Sequence, residues 1–78
     1  MARIKDEVSL TVGAKIRELR KAKGLPQTAI AVILGVSHQQ FAKYEWGINR
    51  IPCCAVYLLA DYFEVNINDF FASAKDLN

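Results

Sequence analysis

The chain has 78 residues, room for one domain and a small core. Hydrophobic residues make up 53% of it, which excludes a disordered tail. Net charge is only +2, and no apolar run nears the roughly 18 residues that span a bilayer, so neither a strongly charged tail nor a membrane protein is expected.

The periodicity predicts an all-α, compact five-helix domain over 1–78, with 1–8 and 73–78 as flexible ends. Helix 1 is expected from about Leu10 to Lys23, capped by Ser9 or Thr11, with Val12, Ile16 and Leu19 as its buried stripe. Arg20, Lys21 and Lys23 suit the negative end of its dipole, and Gly24 stops it. Helix 2 starts near Pro26, which suits a first turn because it has no N–H, and turns its Ile30, Ala31 and Leu34 inward.

Leu34, Gly35, Val36 and Ser37 join helix 2 to helix 3. The join is too short for two helices to lie side by side, so they cross steeply, as in a helix-turn-helix. Gly35 supplies the positive-φ corner, and Val36 plugs it. Ser37 caps helix 3, which runs to about Trp46 with Phe41 and Tyr44 inward, and Gly47 ends it. Pro52 then opens helix 4, about Cys53 to Phe63, with Val56, Leu59, Ala60 and Phe63 as its core stripe. Asn66 caps a short helix 5, about Ile67 to Ala72, which contributes Phe70 and Ile67.

Charge is unevenly placed. Residues 15–50 hold seven basic and two acidic side chains, whereas 51–78 hold one basic and four acidic. Positive charge thus gathers where the helix-turn-helix lies, which fits either a phosphate-facing surface or a solvated helix face. Cys53 and Cys54 are adjacent and cannot close an ordinary loop, so they read as two reduced thiols at a helix start. The one histidine, His38, is far from them in sequence, and no metal site or cofactor is expected. Charges in residues 1–7 stand where a signal peptide has its apolar core, so a cytoplasmic location is expected. No Gly-rich phosphate loop or nucleophile–base pair is present, and Ser37 and His38, as helix neighbours, point apart, so no enzyme is expected.

The spaced residues Gln27, Ile30, Ala31, Leu34, Gly35, Val36, Ser37, Phe41, Tyr44, Glu45 and Gly47 resemble the Cro/C1-type, or Xre-type, helix-turn-helix family of transcriptional regulators. The likeness extends from about Val12 to Phe71. It implies a lambda-repressor-like domain, a symmetric homodimer and sequence-specific binding of duplex DNA at a palindromic operator. Two positions depart from the family pattern. Pro26 stands where a Ser or Thr cap is usual, and Trp46 where a polar residue is more frequent.

On this reading the first turn of helix 3 enters the major groove, where each base pair shows its own donor and acceptor pattern. His38, Gln39, Gln40 and Lys43 are the expected base-reading residues. Gln39 matches adenine N6 and N7, and Lys43 matches guanine O6 and N7. The resemblance assigns Gln27 to phosphate, while Asn49 and Arg50, on the loop after helix 3, and the capping Ser37 are expected to meet phosphate by position, with Arg17 and Lys21 as weaker candidates. It also pairs Arg20 with Glu45 in a buried ion bridge. Helix 4 has more apolar surface than one core face needs. Leu58 and Tyr62 share a side, and with Val65 and Phe71 they form the expected dimer interface. The expectation is therefore a regulator, of repressor type, with no small-molecule ligand. A protein–protein or antitoxin-like module that keeps the fold is the alternative.

Overall fold

The computed structural model describes residues 7–72. Four α-helices and one 3-10 turn follow in order, with no strand among the described residues. The helices are α1 (Glu7–Ala22), α2 (Gln27–Leu34), α3 (His38–Glu45) and α4 (Cys53–Phe63), and the turn is Ile67–Phe71. The expected fifth helix is thus a 3-10 turn. Five residues leave room for little more than one i→i+3 turn, and Asn66 caps it by accepting the Asn68 N–H at 2.9 Å.

Local chemistry accounts for most boundaries. Helix α1 is already formed at Glu7, ahead of the expected Leu10, so Ser9 and Thr11 lie inside it and do not cap it. Val8 stands one turn before Val12 and extends the helical repeat, and the Glu7 carboxylate suits the positive end of the dipole. Glu7 and Val8 therefore belong to the helix and not to a loose end. Residues 1–6 and 73–78, the rest of the expected flexible ends, lie outside the described residues. Pro26 precedes α2 without a side-chain cap. Gly35 takes φ 72°, and the N–H of Val36 then reaches the Ala31 carbonyl at 3.0 Å. An L side chain rarely adopts that φ, so glycine decides where α2 stops. Ser37 Oγ accepts the N–H of Gln40 at 3.0 Å and caps α3.

The core is continuous. Val12 and Ile16 of α1, Ile30 and Ala31 of α2, Phe41 and Tyr44 of α3, Val56, Leu59, Ala60 and Phe63 of α4 and Phe70 of the turn meet there. Val36 packs on it from the corner between α2 and α3. Burying a large side chain of this kind contributes about 1.5–3 kcal/mol, so Phe41 and Phe70, both fully buried, are principal anchors. Ile67, expected to join Phe70, stays exposed.

Helix α1 packs on α3 and on the 3-10 turn, and α2 packs on α3. At the α1–α3 crossing, Gly13 is buried, and a Cβ there would lie 2.5 Å from the carbonyl oxygens of both Tyr44 and Glu45. The two backbones touch because that side chain is absent. This contact holds the C-terminal end of α3 against α1.

Candidate nucleic-acid interface

Helix α3 is held by one side and open on the other. Phe41, Tyr44 and Glu45 are its buried residues. Gln39 and Lys43, four apart, lie opposite them and are exposed. His38 and Gln40 flank this open side. His38 is exposed on the Glu45 edge, and Gln40 is half-buried on the other. Of the four expected base-reading residues, three are exposed, with Gln40 giving its backbone N–H to Ser37.

Beneath the open side lies a polar network. Glu45 is buried to 1% exposure and Arg20 to 8%. Arg20 Nε donates to Glu45 Oε2, and its Nη2 donates to Oε1 at 3.1 Å. Arg20 Nη1 donates to the Leu25 carbonyl at 2.7 Å. Glu45 Oε1 also accepts Gln27 Nε2 at 2.8 Å, and Gln27 Oε1 lies 2.8 Å from His38 Nε2. No buried side-chain nitrogen or oxygen lacks a partner among the described residues. Such saturation is what lets a buried charge pair persist, because an unpaired member loses its hydration with nothing in return.

The network changes the place of Gln27. The resemblance sends it to phosphate, but here both ends of its amide meet protein atoms. One amide hydrogen remains for an outside acceptor. Gln27 therefore joins α2 to both ends of α3.

At the far end of α3, Trp46 is 58% exposed. The Arg17 guanidinium sits 4.6 Å from its ring centroid and donates through Nη1 to the Glu45 carbonyl at 3.0 Å. The sequence offers Arg17 only as a weak phosphate candidate and does not show this pairing. The available signal was the spacing of Gly13, Arg17 and Arg20, which places a gap and two cations along one side of α1. Beyond Trp46, Gly47 takes φ 72° and the N–H groups of Ile48 and Asn49 return to the Lys43 carbonyl at 2.9 and 3.3 Å. The closed turn leaves Asn49 half-buried and Arg50 exposed beside the end of α3.

The four expected interface residues divide. Leu58 and Tyr62 are 46% and 41% exposed, and neighbouring Tyr57 is 64% exposed. Val65 and Phe71 are half-buried and pack on the core, so they serve the fold first. Cys53 and Cys54 are both free and exposed. No group of three or more His, Cys, Asp or Glu able to hold a metal occurs among the described residues. No helix among them is long and apolar enough to cross a membrane.

A helix-turn-helix domain family matches residues 11–68. An uncharacterized HTH-type transcriptional regulator of Rickettsia conorii is 42% identical over 67 residues, which cover 86% of this chain and 54% of that protein. An uncharacterized transcriptional regulator in the ATPase CF(0) region of Rhodospirillum rubrum is 42% identical over 68 residues, covering 87% of this chain and 63% of that one. Among solved structures, the restriction-modification controller protein C.AhdI from Aeromonas hydrophila superposes with a TM-score of 0.74 at 26% identity, covering 85% of this chain and 100% of that one. The chain spans about half the length of the first two Rickettsia regulators it matches.

Proposed function

This chain belongs to the helix-turn-helix domain family, and from that membership we propose that it is a sequence-specific, duplex-DNA-binding transcriptional regulator of repressor type. One observation carries the reading. A helix anchored by Phe41, Tyr44 and Glu45 holds Gln39 and Lys43 out on its opposite side, and a major groove admits an α-helix. Gln39 reads adenine and Lys43 guanine, with His38 and Gln40 at the flanks. Ser37, Asn49, Arg50 and the remaining Gln27 amide hydrogen meet phosphates, aided by the N-terminal amides of α2. The exposed Tyr57, Leu58 and Tyr62 form a two-fold homodimer contact. Two copies of α3 then stand about one helical turn apart, roughly 34 Å, on a palindromic operator. The protein works in the cytoplasm, where that DNA is.

Selection from random duplexes, followed by binding at graded salt, tests this. One sequence is enriched, and affinity falls steeply as salt rises. Gln39→Ala relaxes selectivity at one base pair of each half-site, by about 1–3 kcal/mol. Arg50→Ala weakens every duplex alike and lowers the salt slope by about 1. If no duplex is preferred over random DNA, the regulator reading is wrong.

A further inference from the structure

The polar network beneath α3 specifies more than position. Glu45, engaged twice by Arg20, is a carboxylate and can only accept hydrogen bonds. The Gln27 atom facing it at 2.8 Å is therefore the NH2 group, and the carbonyl oxygen is turned to His38. An oxygen accepts, so the His38 nitrogen 2.8 Å away must donate. That nitrogen is Nε2. In a neutral imidazole one nitrogen carries hydrogen and the other is a bare acceptor. The bare one is then Nδ1, on an exposed side chain in the first turn of α3. No described residue hydrogen-bonds to it.

We propose that Gln27 fixes His38 as the Nε2–H tautomer, and that His38 then selects an adenine or cytosine by accepting from its amino group. The inference rests on the DNA-reading proposal for α3. The chemistry is one of complementarity. In the major groove the hydrogen-bond donors are adenine N6 and cytosine N4, whereas guanine and thymine place O6 and O4 at the corresponding edge. An acceptor nitrogen pairs with the first two and repels the others. Gln27 is a positioning residue here, and His38 is the one that determines specificity. The selection begins at Glu45, whose carboxylate sets the amide, which sets the ring.

Two measurements test this. The first needs no DNA. Nitrogen-15 correlation spectra of the free protein at about pH 8.5, where imidazoles are neutral, read the tautomer directly. The expected result is a protonated Nε2 and a bare Nδ1 on His38. A proton on Nδ1 overturns the proposal. The second is selection from random duplexes at the same pH with the parent, His38→Ala and Gln27→Ala. His38→Ala flattens one base pair per half-site, at which the parent prefers adenine or cytosine roughly tenfold. Gln27→Ala, which leaves the imidazole in place, flattens the same base pair and spares the one read by Gln39. Guanine or thymine at that position, no position dependent on His38, or full selectivity in Gln27→Ala each overturns it. If no duplex is enriched while the Nε2–H tautomer is found in the parent and gives way to a tautomer mixture in Gln27→Ala, the DNA reading fails and the Gln27–His38 lock stands alone.

Discussion

A single buried carboxylate organises this molecule at the residue scale. Glu45 receives Arg20, Gln27 and, through its backbone carbonyl, Arg17, so three side chains from two helices converge on the last residue of α3. The attraction between Arg20 and Glu45 offsets the loss of hydration more than it adds net stability. Removing one member is different, because the other stays buried without its partner. Glu45→Ala is expected to cost about 3–5 kcal/mol, read as a drop in the midpoint of chemical unfolding. If the variant unfolds with the parent's midpoint, the bridge does not hold α1 to α3. Gly13 makes the same contact sensitive to size. A methyl group would meet two backbone oxygens at 2.5 Å, and neither can swing aside as a flexible side chain does. Gly13→Ala is expected to destabilise by about 1–3 kcal/mol despite its better helix propensity. Thermal melts followed by circular dichroism distinguish this from the small gain that alanine gives in an open helix.

The helices differ in how their ends are made. Helix α3 has a side-chain cap, Ser37, whereas α2 and α4 follow prolines and have none. With only eight residues, α3 is too short to persist alone, so its cap and its packing both matter. Ser37→Ala is expected to cost about 0.5–2 kcal/mol in global stability. Amide exchange reports where the loss falls. Protection is lost first at Gln40, whose N–H is bonded to Ser37 Oγ, and DNA affinity falls with it because His38 and Gln39 share that turn. Unchanged exchange at Gln40 with lowered DNA affinity would make Ser37 a phosphate contact and not a cap.

Two surfaces of the whole molecule differ in chemistry. Seven of the ten basic residues lie in 15–50, around the helix-turn-helix, while Tyr57, Leu58 and Tyr62 expose apolar area on α4. Tyr62 is partly engaged already, with the Lys23 ammonium 6.0 Å from its ring centroid and a T-shaped contact with the Phe63 ring. Leu58 is thus the better probe of the proposed dimer. Leu58→Asp places a charge at the centre of that contact with little effect on the core, from which Leu58 is turned away. Sedimentation equilibrium is expected to show a parent dimer and a Leu58→Asp monomer at micromolar concentration. The same variant loses most of its affinity for a two-half-site duplex and keeps that for a single half-site. A parent that sediments as a monomer counts against the two-fold assembly.

The helices were legible because their signals are local. The stripe of Val56, Leu59, Ala60 and Phe63, the corner at Gly35 and the cap at Ser37 each act within a turn or two of their own residue. The same is true of the open side of α3, since residues four apart share a face whatever lies beneath them. The Arg20–Glu45 pair was legible only by resemblance, not from spacing. The early start of α1 and the 3-10 form of the last turn are local departures, whereas the missed side-chain contacts depend on where helices cross. Nothing near Gln27 in sequence announces Glu45 or His38, and nothing near Gly13 announces the carbonyls of Tyr44 and Glu45. Val65 and Phe71 read as free apolar surface until the packing gave them a core to lean on. Sequence alone was enough to locate the four α-helical segments, though not every boundary, and the polar side of α3, because hydrophobic period and capping are short-range. Which polar groups lock one another follows from the packing, because a hydrogen bond between distant residues exists only once the crossing of α1, α2 and α3 has set the distance.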